Sequence, residues 1–339
     1  MGVDLSELAP RHEIELKELN GKVVAIDAFN TLYQFLSIIR QMDGTPLVDD
    51  RGEVTSHLSG IIYRVTTLVE QGIKPVFVFD GKPPSFKAET IKARVEIREA
   101  AKQMYEAAKA AGSADAYKYA QASTSINAQI IKDSKELLGL MGIPYLVAPS
   151  EGEAQASYMV SKGNADYVGS QDFDALLFGA PRVVRNIAIT GRRKLPRKGV
   201  YVEVKPEIIE LPEVLKTLEI TREQLIDMGI LIGTDYNPGI YKVGPKTALK
   251  LVKKHENMQA ILSDLGQTID NYEAIREFFL HAPSTDDYNV KWGKPEPEKI
   301  RQFLCTEHSF STERVDKVVE RLVAAVTETA RQKTLSAWF

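Results

Sequence analysis

The sequence predicts an α/β protein in which a mostly parallel central sheet is flanked by helices. Two short apolar runs, 22–28 and 74–79, are typical of parallel strands that are buried on both faces. Segments with helical patterns separate the strands, as connections between parallel strands require. At 339 residues the chain exceeds the usual size of one compact core, which indicates a large domain with insertions or two lobes.

The composition is that of a soluble globular protein, with 44% hydrophobic and 26% charged residues. The net charge of −3 does not by itself indicate nucleic-acid binding, but acids and bases are concentrated in separate segments, so local charge is the better guide. The one cysteine, Cys305, excludes an intramolecular disulfide and a cysteine-based zinc site, and fits a reducing compartment. Neither a membrane span nor a signal segment is expected.

The first apolar run ends at Asp27, and an apolar helix is predicted at 31–39. Tyr33 lies on the first turn of that helix, where an aromatic side chain usually packs in the core. The loop at 41–54 is rich in Gly, Pro and Asp and is long enough to have a function of its own. A helix at 56–71 leads to the next strand.

The second strand, 74–79, also leads into an acid, Asp80. The segment 85–135 is rich in Ala, Glu, Lys and Arg, which predicts two or more helices with little to bury. It is either a solvated excursion or a functional cap, because Lys87 and Arg94 share one helical face and would reach over an acidic site. We expect these helices to be mobile without substrate, since few contacts would hold them.

A third strand, predicted at 165–169, is accompanied by four more acids. Two lie where a helix begins and two follow the strand: Glu151, Glu153, Asp172 and Asp174. Each pair has a simpler interpretation, since Ser150-x-x-Glu153 is also a capping box and Asp-x-Asp is a common turn element.

Acids thus follow three predicted strands at their carboxyl ends, where ligands gather in an open α/β sheet. Carboxylates brought so close repel one another and raise each other's pKa. A pair of hard divalent cations relieves this repulsion, because such ions take oxygen ligands. The pattern therefore indicates a two-metal phosphodiesterase.

The segment 182–204 predicts a hairpin with a basic tip, which is either solvated or an unspecific phosphate contact. A helix that begins with a Thr221-x-x-Gln224 capping box then leads to Asp235. A Gly-rich turn next opens a basic helix, which is suited to bind a phosphate; the alternative is a helix hairpin with a soluble face. This helix carries Lys246, Lys250, Lys253 and Lys254.

The last eight residues combine Gln332 with the apolar side chains of Leu335, Trp338 and Phe339. Aromatic side chains at an exposed terminus are a liability unless something covers them. One helical turn would put the three apolar side chains on one side, ready for a partner's groove. The alternative is that they fold back onto this chain's own core.

Taken together, these motifs resemble the flap endonucleases, structure-specific members of the 5′-nuclease superfamily. The resemblance covers essentially the whole chain. The motifs VVAIDA, FVFDGKPP, APSEGEAQA, SQDFDALLFG and GTDYNPGIYKVGPKTA follow in the family's order and spacing. The ending QKTLSAWF is similar to the peptide with which family members bind the sliding clamp PCNA.

The resemblance implies two Mg²⁺ ions per subunit, with Mn²⁺ as a substitute, and a monovalent cation at a helix–two-turn–helix element. The implied metal ligands are Asp27, Asp80, Glu151, Glu153, Asp172, Asp174 and Asp235. Asp174, Lys87 and Arg94 are implied to be catalytic. The side chains of Lys87 and Arg94 would bind and polarise the scissile phosphate.

The resemblance also implies a set of DNA contacts: Gly2, Tyr33, Lys87, Arg94, Gly244, Lys246, Lys250 and Arg314. Tyr33 would stack on a nucleotide beside the cut, and Arg314, with Phe310, would hold a short 3′ flap. Gly2 would place its amine near the site, which competes with myristoylation at the same residue. The implied clamp-binding residues are Gln332, Leu335, Trp338 and Phe339.

The implied organisation is one nuclease domain, 1–331, followed by a clamp-binding peptide, 332–339. Within the domain, the N-terminal region is about 1–110, a helical gateway and cap for the 5′ flap about 85–135, and the internal region about 136–260, with the helix–two-turn–helix at about 222–254. The loop 41–54 matches a wedge between two duplex arms.

The implied function is that of a 5′ flap endonuclease with 5′–3′ exonuclease activity, acting on DNA in Okazaki fragment maturation and repair. The chain stops at Phe339 without the basic tail of eukaryotic members, which favours an archaeal-type protein in the cytoplasm, nuclear only in a eukaryote. A monomer is expected. Two alternatives are a non-catalytic scaffold for clamp and junction, and a small-molecule dinuclear phosphatase. A haloacid-dehalogenase-type phosphatase would need Asp-x-Asp where Asp27-Ala28-Phe29 stands.

Overall fold

The computed structural model describes residues 2–41, 43–113, 115–189, 191–194 and 201–336. Within these ranges the strands form one seven-stranded sheet and one separate two-stranded hairpin. The strands are β1 (His12–Glu13), β2 (Val23–Asp27), β3 (Lys74–Phe79), β4 (Tyr145–Val147), β5 (Tyr167–Gly169), β6 (Arg182–Arg185), β7 (Gly191–Lys194), β8 (Tyr201–Val204) and β9 (Glu207–Glu210).

The large sheet has the strand order β1-β9-β6-β5-β2-β3-β4. Strands β6, β5, β2, β3 and β4 run parallel, while β9 and β1 pair antiparallel at one edge. Asp27 at the end of β2 lies opposite Val78 of β3, and Ile26 lies opposite Gly169 of β5. The predicted α/β class with a mostly parallel sheet is confirmed.

Both faces of the central strands are buried, which explains their unbroken apolar sequences. In β3, Val76 and Val78 pack in one core, whereas Phe77 and Phe79 pack in a second core on the opposite face. Side chains alternate along a strand, so neighbours enter different cores. A ligand is therefore left with the carboxyl ends of the strands rather than the faces of the sheet.

Helices fill the connections and cover the sheet. They are α1 (Ala28–Ile38), α2 (Ser56–Gly60), α3 (Thr66–Glu70), α4 (Ala88–Ala110), α5 (Ala116–Ala122), α6 (Ala128–Leu140), α7 (Gly152–Ser161), α8 (Asp174–Leu177), α9 (Leu211–Leu218), α10 (Arg222–Ile232), α11 (Pro245–Lys254), α12 (Met258–Leu265), α13 (Tyr272–Leu280), α14 (Pro297–Arg301) and α15 (Thr312–Ser336). A π-helical turn, Ile61–Val65, joins α2 and α3 into the single helix predicted at 56–71. In the ranges that the structure describes, no helix has the length and apolar character needed to cross a bilayer.

The segment 85–135 forms the predicted helical excursion and consists of α4, α5 and the first part of α6. Helix α4 is largely exposed, whereas α5 packs on α1 and buries Ala116 and Ala120. Gln121 Nε2 donates a hydrogen bond to the Ser37 carbonyl over 3.0 Å. Helix α5 therefore has contacts with the body of the protein, and the mobility of the excursion stays a prediction.

The predicted hairpin at 182–204 is wrong. Strand β6 belongs to the large sheet, between β5 and β9, because Val183 and Val184 pack in the cores on its two faces. The hairpin that forms instead pairs β7 with β8. Residues 190 and 195–200, which include much of the predicted basic tip, lie outside the described residues.

Gly60 lies where α2 packs on α1, and a Cβ atom there would be 2.2 Å from the ring of Phe35. We expect Gly60→Ala to lower the free energy of unfolding by about 1–3 kcal/mol, since the ring would have to move within a packed core. This cost exceeds the roughly 1 kcal/mol by which alanine favours a helix over glycine. Urea denaturation measures the change.

The matched control is Gly139→Ala in α6, because a Cβ atom at Gly139 meets nothing within 4 Å. This substitution should be neutral or stabilising. Equal destabilisation by the two substitutions would show that the close approach of Phe35 is not the reason why a side chain at Gly60 is unfavourable.

Candidate active site

Seven carboxylates lie at the carboxyl edge of the parallel strands. They are Asp27 at the end of β2, Asp80 after β3, Glu151 and Glu153 at the start of α7, Asp172 after β5, Asp174 at the start of α8 and Asp235 after α10. They come from five separate stretches of the chain. The topology brings together those that follow strands, because parallel strands end at the same edge of a sheet. Asp235, which follows a helix, lies with them through its ion pairs to Lys87 and Arg94.

The start of α7 is joined to the end of β3 by a short backbone contact. Gly152 N donates a hydrogen bond to Asp80 Oδ1 over 2.6 Å. A Cβ atom at Gly152 would lie 2.9 Å from that oxygen and from the Val78 carbonyl oxygen, so a larger residue would disturb this approach. The positive end of the α7 dipole therefore faces a carboxylate, which it stabilises.

Glu153 belongs to the acidic pocket rather than to a helix cap. The alternative of a capping box from Ser150 to Glu153 is wrong, because the N-cap of α7 is Glu151 and no side chain caps the helix. Glu153 instead accepts a hydrogen bond from Ser170 Oγ, in the loop after β5. This contact links the start of α7 to the loop that carries Asp172.

The N-terminal segment packs against the acids of the β5–α8 loop. Val3 N donates a hydrogen bond to Asp174 Oδ1 over 2.7 Å. A Cβ atom at Gly2 would lie 3.0 Å from Asp174 Oδ1 and from Asp172 Cβ. The structure thus places Gly2 beside the pocket.

Two cations from the base of α4 lie over the acids. Lys87 Nζ is 2.5 Å from Glu151 Oε2 and 3.9 Å from Asp235 Oδ2. Arg94 donates a hydrogen bond to Asp235 Oδ1. Lys87 is 9% exposed, so its charge is enclosed with those of its partners. The two cations that the sequence singled out are therefore in contact with two of the seven acids.

Burial and mutual repulsion raise the pKa values of most of these acids. Burial raises the pKa of Asp174 to about 8, and the charge of Asp235 adds to the effect. Burial raises the pKa of Asp27 well above its usual range, and repulsion from Asp80 adds to this. Burial also raises the pKa of Glu153 well above its usual range, and there repulsion from Asp27 adds to the effect. Burial also raises the pKa of Asp80, Glu151 and Asp172.

The cations counter this effect locally. Burial would raise the pKa of Asp235, but the hydrogen bond and charge of Arg94 outweigh burial and hold that pKa below its usual range. Burial would lower the pKa of Lys87, but the Glu151 carboxylate outweighs burial and raises it. Both cations therefore stay charged and compensate part of the negative charge of the pocket.

The donor set fits hard divalent cations. It consists of carboxylate oxygens, which Mg²⁺ and Mn²⁺ take as ligands, and a bound dication would offset the repulsion among them. In the described part of the chain, no three of these groups are already arranged to coordinate one ion. This agrees with the ion pairs of Glu151 and Asp235 to Lys87 and Arg94, and with the preference of Mg²⁺ for keeping several of its waters.

Several predicted DNA contacts lie outside the acidic pocket. Tyr33 lies on α1 beneath the guanidinium of Arg98, which is 5.1 Å from its ring centroid. Gly244 is the N-cap of α11, and Lys246 and Lys250 lie exposed on that helix. The capping box predicted at the start of α10 is present. Two helices, α10 and α11, joined by a Gly-rich turn thus form at the place expected for the helix–two-turn–helix.

The C-terminal candidates lie on or before α15. Arg314 lines a cavity of about 240 Å³ together with Tyr63, Lys317, Val318 and Arg321. Phe310, just before the helix, packs against the second core. Gln332 and Leu335 fall in α15, which extends to Ser336, whereas Trp338 and Phe339 lie outside the described residues.

Three further residues contact the site: Asn30, Ser170 and Tyr236. Asn30 Nδ2 donates a hydrogen bond to Asp172 Oδ2 over 2.9 Å. The Tyr236 ring lies beneath Lys87, with Nζ 5.6 Å from its centroid. Only Asn30 had a signal in the sequence, since it follows the first acid by about one helical turn. Sequence analysis missed all three.

Comparisons with known proteins define the class of the fold. A family model described as the XPG N-terminal domain matches residues 1–101, and one described as the XPG I-region matches residues 142–235. The catalytic core of Rad2, solved in complex with DNA substrate, has a TM-score of 0.69 to this chain and is 24% identical, over 92% of this chain and 96% of that chain. The protein therefore has the fold of XPG-type nucleases.

Two flap endonucleases narrow the assignment. The flap endonuclease 1 of Methanocella arvoryzae is 78% identical over 340 residues, which cover 100% of both chains. The solved flap endonuclease-1 from Methanococcus jannaschii is 40% identical, with a TM-score of 0.76 over 96% of this chain and 99% of that chain. The chain belongs to the flap endonuclease family, whose members are metal-dependent DNA nucleases. The resemblance drawn from the motifs is confirmed, which disfavours the phosphatase and scaffold alternatives.

In the metal-free protein, Asp174→Asn should raise the melting temperature more at pH 8 than at pH 5. The pKa of Asp174 is about 8 in the folded chain against an ordinary value of 3.8, so the folded state binds more protons between these values. Wild-type stability therefore falls as the pH rises through this window, and asparagine removes that loss. We expect a gain of at least about 2 °C at pH 8 by calorimetry.

The exposed Asp287 offers a matched control, because Asp287→Asn removes a carboxylate that lies on the surface. This variant should keep the pH dependence of the wild type. An equal gain at both pH values for Asp174→Asn would contradict the proposed protonation of Asp174.

Proposed function

We propose that this chain is a structure-specific 5′ flap endonuclease that hydrolyses one DNA phosphodiester bond at a flap junction, with 5′–3′ exonuclease activity on related ends. The observation that supports this most strongly is the pocket in which seven acids from five stretches of the chain meet under Lys87 and Arg94. The substrate class, flap DNA, is inferred from the family. The enzyme would act in Okazaki fragment maturation and DNA repair.

The acids would hold two Mg²⁺ ions, or Mn²⁺ in their place. The proposed ligands, some direct and others through water, are Asp27, Asp80, Glu151, Glu153, Asp172, Asp174 and Asp235. When bound, such ions polarise the scissile phosphate and lower the pKa of the attacking water. The enclosure of the pocket strengthens each charge interaction within it, because little water screens the charges.

Lys87 and Arg94 would bind the scissile phosphate. In the chain without DNA they pair with Glu151 and Asp235, two of the proposed ligands. We propose that both cations exchange these carboxylates for phosphate oxygens when DNA enters below α4. There they would neutralise the charge that develops as the bond breaks, which can contribute several kcal/mol in an enclosed site.

Other residues would hold the DNA without reading its sequence. Tyr33 offers a ring on which the nucleotide beside the cut would stack. Gly2 lies beside Asp172 and Asp174, where its backbone would approach the DNA. The turn at Gly244 offers backbone N–H groups, and Lys246 and Lys250 offer charges, to the duplex backbone. A monovalent cation would complete this helix–two-turn–helix contact.

Specificity would come from the shape of a bent, interrupted duplex. The loop 41–54 would lie between the duplex arms, and the excursion 85–135 would admit the 5′ flap. Arg314 would hold the 3′ flap, with Phe310 nearby. The peptide 332–339 would dock on the sliding clamp PCNA, and the chain would act as a monomer built of one nuclease domain.

Asp174→Ala should abolish Mg²⁺-dependent cleavage of a labelled double-flap DNA, with a loss of about 10³-fold or more in rate. Binding of the same DNA should persist, because the cationic contacts to the backbone are unchanged. Product mapping and gel-shift titration measure the two effects. Asp287→Asn serves as the control and should cut at the wild-type position and rate. Continued Mg²⁺-dependent cutting by Asp174→Ala would refute the role of Asp174.

Removal of residues 332–339 should leave cleavage of isolated flap DNA unchanged while stimulation by the sliding clamp is lost. The physical reason is that Leu335, Trp338 and Phe339 supply the apolar anchors of the proposed docking peptide. A steady-state assay with and without clamp measures this. A chain with Thr334→Ala and Ser336→Ala changes only positions that are not anchors and should retain stimulation. Full stimulation of the truncated chain would disprove the docking role.

A further inference from the structure

Asn30, in the first turn of α1, contacts two of the acids, one through its side chain and one through its backbone. Asn30 Nδ2 donates a hydrogen bond to Asp172 Oδ2 over 2.9 Å. The backbone N of Asn30 donates to Asp27 Oδ1 over 3.1 Å, as Asp27 caps the helix. One residue thus joins the acid that ends β2 to an acid of the loop after β5.

The orientation of the Asn30 amide is fixed by its neighbours. Its Oδ1 accepts hydrogen bonds from Gln171 N over 3.3 Å and from Gln34 Nε2 over 2.6 Å. A backbone N–H can only donate and an ionised carboxylate can only accept, so the amide oxygen faces Gln171 and the amide nitrogen faces Asp172. A flipped amide would put its oxygen against a carboxylate oxygen.

These contacts join the loop that carries Asp172 to helix α1. Asp172 lies between β5 and α8, and its own backbone N donates to Ser170 Oγ over 3.2 Å. Asn30 lies on α1, which is packed in the second core through Leu32 and Phe35. Asn30 therefore fixes the Asp172 carboxylate relative to the packed helix α1 and not only relative to its own loop.

We propose that Asn30 is a positioning residue whose side-chain amide orients the Asp172 carboxylate toward the metal centre. This inference rests on the proposed function, since it concerns the same pocket. Partners that orient ligand carboxylates commonly change metal affinity by 10–100-fold when they are lost. Gln34 extends the same chain of hydrogen bonds and should have a smaller effect in the same direction.

The test is calorimetric titration of Mg²⁺ into the full chain without DNA. We expect Asn30→Ala to weaken Mg²⁺ binding by about 10–100-fold. Asn30→Asp is nearly isosteric, but its ionised carboxylate cannot donate a hydrogen bond and repels Asp172. We therefore expect Asn30→Asp to weaken Mg²⁺ binding at least as much as Asn30→Ala does. Gln34→Leu keeps the Asn30 amide and should weaken binding less than Asn30→Ala does.

Cleavage as a function of Mg²⁺ concentration gives a second measurement. If Asn30 acts by orienting Asp172, saturating Mg²⁺ should restore much of the rate of Asn30→Ala. The control is Asn257→Ala, because Asn257 caps α12 through a hydrogen bond from Ala260 N, far along the chain from the acids. This variant should lose some thermal stability and keep wild-type Mg²⁺ affinity.

If Asn30→Ala and Asn30→Asp bind Mg²⁺ as tightly as the wild type, the role of Asn30 is overturned. If the wild-type chain still cuts flap DNA in that case, the proposed function stands. Tighter Mg²⁺ binding by Asn30→Asp would overturn the role of Asn30 too, because the residue would then act as a ligand position. A wild-type chain that neither binds Mg²⁺ nor cuts flap DNA would overturn both proposals. If Asn30→Ala fails to fold, the Asn30→Asp titration decides the matter: weakened Mg²⁺ binding supports the role of Asn30, and unchanged or tighter binding overturns it.

Discussion

Seven ionised carboxylates cannot share one enclosed pocket unless positive charge is brought to them, and the structure around the sheet edge follows from this constraint. An uncompensated buried carboxylate costs several kcal/mol, and here the acids also raise one another's pKa. The chain itself supplies the charges of Lys87 and Arg94 and the positive end of the α7 dipole. The remaining negative charge defines a place for divalent cations.

The fold makes this concentration of charge possible because packed strands and helices hold the acids in place. Both faces of the parallel strands are occupied by apolar cores, so the acids can only collect at the carboxyl ends. Backbone N–H groups of Gly152 and Val3 reach the carboxylates directly, and the absence of a side chain at Gly2 and Gly152 permits the approach. Helix α4 begins shortly after β3, which delivers its cations to the same edge.

The sequence was sufficient to predict three strands, β2, β3 and β5, and to single out all seven acids. The predicted strand at 74–79 coincides with β3, and the first differs from β2 only at its ends, because doubly buried strands have apolar runs that few other elements share. The prediction failed at 182–204, where the burial of two valines on opposite faces depends on neighbouring strands. Contacts such as Asn30 with Asp172 have no local signature, since the partners are 142 residues apart.

If the acids at the sheet edge form one pocket for paired divalent cations, anomalous scattering from crystals of the full chain grown with Mn²⁺ will locate both ions directly. We expect two anomalous peaks, about 3.5–4 Å apart, in contact with the carboxylates of Asp27, Asp80, Glu153 and Asp174 or with waters bound to them. Saturating Mn²⁺ with no peak in this pocket, or with peaks only elsewhere on the molecule, would contradict this expectation.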